Sequence, residues 1–122
     1  MSFHRPRAQI RQNILDAAQE LEKTDLSRGP NYQVMRQVYA YLVGQPGDAG
    51  VPGDVAADVV ASMSINVSEG GFKDTELLAA VVNSVALALK RMYRTLEIDF
   101  GSTKAASMIV KMAPQFRIDL DW

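Results

Sequence analysis

The chain has 122 residues, 48% of them hydrophobic, which is one domain's length with enough apolar material for a core that needs no cross-links. It contains no cysteine, so a disulfide framework, a thiolate zinc site and a cysteine nucleophile are excluded, and a reducing, cytoplasmic setting is expected. Thirteen basic against fourteen acidic residues give a formal charge of -1, which excludes a strong overall field drawing it to nucleic acid or an anionic membrane.

The sequence begins MSFHRPRAQIRQ, where basic residues are followed by no apolar run, so the segment does not read as a signal peptide. Pro6 suits a first helical turn. Ile10, Ile14, Leu15, Ala18 and Leu21 then share one face, predicting an amphipathic helix over 6–23. Within it, the run RAQIRQNILDAAQEL at 7–21 resembles the first helix of TetR-type repressors, with an arginine-rich start and an Ile-Leu-Asp-Ala-Ala core. The resemblance covers about an eighth of the chain. That family continues into a compact helix-turn-helix, whereas here Gly29-Pro30 and a later Pro-Gly loop follow, so DNA binding is not carried over from it.

Residues 24–31, with the Gly29-Pro30 pair, read as a turn. A second helix is predicted over 32–43, with Met35, Val38, Tyr39 and Leu42 as its buried stripe and Gly44 as its terminator. QPGDAGVPG at 45–53 breaks both helix and strand and is a loop. Asp54 is expected to cap a third helix reaching about Met63, with Val55, Val59, Val60 and Met63 inward. Residues 64–68 alternate like a short strand, and Glu69-Gly70-Gly71 turns the chain.

Next comes LLAAVVNSVALAL at 77–89, thirteen residues without a charge, inside a helix predicted from Asp74 or Thr75 to about Leu96. Leu78, Val82, Val85, Leu89, Met92 and Leu96 repeat at steps of four and three and make one packing seam. Leu77, Ala80, Val81, Leu87 and Ala88 make other faces apolar as well, the pattern of a central bundle helix or a subunit interface. A helix of roughly 22 residues is about 33 Å long, enough to organise the whole domain. The apolar run falls short of the roughly 20 residues that span a bilayer, so no membrane helix is expected.

Residues 96–100 alternate apolar and acidic side chains and are expected to form a strand. Ser102 is expected to cap a last helix over 103–112, which Pro114 closes. Phe116, Ile118, Leu120 and Trp122 then alternate with charged residues in a second strand-like pattern, which would allow a parallel pair with a crossover around that helix, or two separate extended edges. The expected class is all-α, a single domain built as a compact bundle of about five helices around the long apolar helix, with one or two short strands near the C-terminus.

Chemistry is sparse. The only histidine is His4, beside Arg5 near the start, a poor position for a catalytic base. Asp16 with Glu20 and Asp54 with Asp58 sit at helical spacing, but no other ligand type joins them, so they read as solvated faces. Phe100-Gly101-Ser102-Thr103-Lys104 lacks the first glycine and the order of a phosphate-binding loop and reads as an ordinary helix start. No catalytic, cofactor or metal residue is assigned, and the chain is expected not to be an enzyme.

Candidate interaction residues are Lys90, Arg91, Tyr93 and Arg94 toward the end of the long helix and Trp122 in the last segment. The expected function is a protein-protein interaction or assembly subunit, self-associating or part of a larger complex. The alternative is a nucleic-acid-associated regulator or backbone-binding subunit, with Arg5, Arg7 and Arg11 as a second basic group and Tyr93 available to stack on a base.

Overall fold

The computed structural model describes residues 29–44, 50–68 and 74–120. In chain order these form α1 (Gly29–Val43), α2 (Gly53–Ser62), β1 (Ser64–Val67), α3 (Thr75–Phe100), α4 (Ser102–Met112), a 3-10 turn (Ala113–Gln115) and β2 (Arg117–Leu120). Helix takes 79% of the described residues, so the class is all-α. Four α-helices are described against about five expected; the remaining one, over 6–23, lies outside the described residues, as does the stretch that resembles TetR-type repressors.

Helix α1 begins at Gly29, three residues before the expected start, so the predicted turn at Gly29-Pro30 is overridden. Proline is tolerated there because the first helical turn has no use for its missing N–H. Val34, Val38 and Leu42 are fully buried, and Gly44, at φ 74°, ends the helix by donating its N–H to the Ala40 carbonyl at 2.9 Å. The left-handed backbone that this ending needs is open to glycine at no steric cost. The Val51 N–H then returns to the Leu42 carbonyl at 2.8 Å, satisfying one of the last acceptors of α1.

Helix α2 starts at Gly53, with Pro52 and not Asp54 in the capping position. The Ala56 N–H reaches the Pro52 carbonyl at 2.8 Å, so the helix is under way one residue before Asp54, which lies in the first turn near the positive helix end. Ala56, Ala57, Val59 and Val60 are its buried residues. At its far end Ser62 Oγ donates to the Asp58 carbonyl at 2.8 Å, and Met63 swings into extended backbone that leads directly into β1.

The parallel pair exists, but its partners differ from those expected. β1 pairs with β2 in the register Ser64↔Arg117, Ile65↔Ile118, Asn66↔Asp119 and Val67↔Leu120, and the crossover runs through both α3 and α4. Two short strands alone would be marginal, so the helices packed around them supply their stability. Asn31 Oδ1 accepts the Val67 N–H at 2.8 Å, tying the start of α1 to the end of β1. Ile118 and Leu120 face the core while Arg117 and Asp119 face outward, the alternation read from the sequence.

Residues 96–100 are not a strand. They continue α3 to 26 residues, because no breaker occurs before Gly101, whose N–H still bonds the Glu97 carbonyl at 2.9 Å. The period-two spacing of Leu96, Ile98 and Phe100 is therefore wound onto a helix, which leaves Ile98 74% and Phe100 51% exposed. At the other end of α3, which starts at Thr75 as expected, the Asp74 carboxylate accepts the Leu77 N–H at 3.0 Å and caps the helix.

Gly101 alone joins α3 to α4, ending one helix and standing in the capping position of the other; Ser102 is already helical and makes no cap. Its φ of 84° and ψ of 165° lie in a region that is essentially closed to residues with a Cβ. Nothing lies within 4 Å of a Cβ built there, so Gly101→Ala tests backbone strain without a steric clash. We expect it to lower stability by about 1–3 kcal/mol, read from the shift in urea midpoint.

Candidate interaction surface

Helix α3 carries two stripes on opposite sides. Leu78, Val82, Ala86, Leu89 and Tyr93 are buried against α1, α4 and β2. Val85, Met92 and Leu96, expected on the same seam, are only half-buried at its margin. The inner stripe is thus rotated from the one read in the sequence, with Ala86 and Tyr93 taking inner places. A small alanine permits close approach of a neighbouring helix, and an aromatic ring supplies bulk two turns later.

On the opposite side Leu77, Ala80, Ser84, Leu87, Arg91, Arg94 and Ile98 are all exposed. Their spacing is three, four, three, four, three and four, the repeat that keeps one line of side chains along a helix. At 1.5 Å per residue this outer seam extends for about 32 Å. Of the large apolar side chains standing exposed among the described residues, Leu77, Leu87, Ile98 and Phe100 belong to α3 and Tyr41 to α1. The all-round apolarity of the sequence therefore divides into one buried face and one facing water.

Arg91 and Arg94 are exposed on this seam and Lys90 is half-buried beside them. Tyr93 is different. It is only 4% exposed and packs in the core, so its ring is not available to stack on a base. Trp122 lies outside the described residues, as do His4, Arg5, Arg7, Arg11, Asp16 and Glu20. Between α3 and α4, Arg91, Met92, Thr95, Leu96 and Met112 line a shallow, mostly apolar groove of about 290 Å³ at the shoulder of the seam.

The phenols of Tyr93 and Tyr39 are pushed above their ordinary value, in both cases chiefly by burial. The Glu97 carboxylate adds to the effect at Tyr93, and Asp54 adds to it at Tyr39. A raised phenol stays protonated in the fold where it would ionise in the unfolded chain, so its contribution is whole below pH 10.0 and is lost as pH rises through the raised value. We expect alkaline unfolding to set in above that point and to be milder in Tyr93→Phe relative to its own neutral-pH stability. Denaturant titrations at pH 8 and above pH 10, with tyrosinate absorbance followed in parallel, check this.

Among the described residues no three His, Cys, Asp or Glu side chains come together in a way that could hold a metal ion. Asp54 and Asp58 stand on α2 without a third ligand of that kind beside them. Among the same residues no helix is long and apolar enough to cross a membrane. Comparison with protein-family models, curated proteins and solved structures gives no match for this chain.

Proposed function

We propose that this chain is a non-enzymatic interaction or assembly subunit, resident in the cytoplasm, and that it works through the outer seam of α3. The supporting observation is that Leu77, Leu87 and Ile98 stand exposed on one line of a helix whose other face is anchored in the core. Large apolar side chains aligned on one helix face, with small and long side chains between them, form a surface that a partner helix can cover. Arg91 and Arg94 add polar, hydrogen-bonding groups to that surface.

Size-exclusion chromatography with light scattering on the full chain, recording absorbance at 260 and 280 nm, tests the reading. A mass above the 13.4 kDa of one chain, with a protein-like absorbance ratio, supports it. A monomer at all accessible concentrations contradicts the self-associating form. A 260 nm excess that salt removes would instead favour the nucleic-acid reading, for which exposed Arg91 and Arg94 remain usable cations.

A further inference from the structure

Resting on the interaction reading above, we propose that the outer seam of α3 pairs with the same seam of a second copy of this chain, antiparallel, about a two-fold axis at Leu87. Leu77 lies ten residues before Leu87 and Ile98 eleven after it. A two-fold there sets Leu87 against the partner's Leu87 and Leu77 against the partner's Ile98, so the large apolar side chains of the seam meet one another. The same operation puts the small Ala80 and Ser84 opposite the partner's Arg94 and the partner's Arg91. Long aliphatic stems then cover small side chains while the guanidinium groups reach the rim.

Charge selects the direction. Asp74 and Glu76 stand at the start of α3, Lys90, Arg91 and Arg94 in its second half, and Glu97 and Asp99 in its last turn. Glu76 and Arg94 are eighteen residues apart, five turns at 3.6 residues per turn, so they project on the same side of the helix. Antiparallel pairing brings Glu76 to within about one turn of the partner's Arg94, which offsets the partner's Glu97 lying nearly level with it, and it keeps Arg91 and Arg94 away from their own copies. Parallel pairing would set Arg91 and Arg94 against their own copies inside the contact, where like charges repel.

The absence of native cysteine makes engineered thiols specific reporters. Under mild oxidation, Leu87→Cys should form a covalent dimer, roughly tenfold more of it than Leu77→Cys or Ile98→Cys alone, because only residues at the axis come within disulfide reach of their own copies. Mixing Leu77→Cys with Ile98→Cys should restore cross-linking between the two chains. Self-linking of Leu77→Cys as strong as that of Leu87→Cys would overturn the antiparallel direction. An oligomer in which Leu87→Cys does not link would overturn this pairing and leave the interaction reading standing. A monomer whose Leu87→Cys thiol is shielded from maleimide would put a segment of the same chain on the seam and overturn the pairing. A monomer with a reactive thiol would remove both the pairing and self-association.

Discussion

Leu89→Ala is expected to cost about 2–5 kcal/mol of folding stability, while Leu87→Ala, two residues away on the same helix, should cost less than about 1 kcal/mol. Leu89 is 0% exposed on the inner stripe of α3, so truncation removes apolar contacts and leaves a cavity whose walls belong to several elements. Leu87 is 42% exposed and opens no cavity. Urea titrations at one low protein concentration give the comparison, because association would otherwise add a concentration-dependent share of stability at Leu87. Equal costs at the two positions would mean that the inner and outer stripes are misassigned.

Gly50→Ala should be comparably damaging, for a different reason. A Cβ at Gly50 would lie 2.1 Å from the Val43 carbonyl oxygen, 2.7 Å from the Val43 carbonyl carbon and 2.8 Å from the Leu42 carbonyl oxygen. All three are backbone atoms, so no flexible side chain can swing aside. Relief requires moving the end of α1 away from residue 50, which breaks the 2.8 Å hydrogen bond from the Val51 N–H to the Leu42 carbonyl and shifts Val51 out of the core. We expect a loss of about 3 kcal/mol or more. Gly101→Ala provides the contrast, with positive φ and open space where Gly50 has a clash. Thermal or urea unfolding of the two variants side by side checks both the ranking and the mechanisms.

Much of the helical frame is legible in the sequence because periodicity and breakers agree there. Gly44 and Asp74 act at the helix ends where their residue types place them, and Pro114 lies in the 3-10 turn that follows α4. The departures have local causes. Leu96, Ile98 and Phe100 alternate like a strand, yet a helix already running from Thr75 adds one hydrogen bond per residue and continues until glycine stops it. Ser102 and Asp54 are good capping residues that come too late, by one position and by two, since Gly101 and Pro52 occupy the capping positions. The partner of β2 could not be read locally, because β1 lies some fifty residues earlier and pairing across such a gap leaves no short-range pattern.

The candidate surface on α3 is half legible. The uncharged run at 77–89 marks α3 as central, but hydrophobicity alone does not say which face turns inward. Tyr93, with its polar tip and basic neighbours, looks like a surface residue and is a core one. Ala86 looks neutral and is buried because its small side chain admits close packing. Arg91 and Arg94 are exposed, and they acquire a setting only when the helix places Leu87 and Ile98 on the same line.

Sedimentation equilibrium of the full chain and of Leu87→Glu, at matched concentrations, decides whether the outer seam of α3 holds two copies together. The native chain should sediment at twice 13.4 kDa and the variant as a monomer with the same far-ultraviolet circular dichroism, because a carboxylate at the axis would face its own copy. A native protein at 13.4 kDa throughout, or a Leu87→Glu variant that associates as tightly as the native chain, would contradict that pairing.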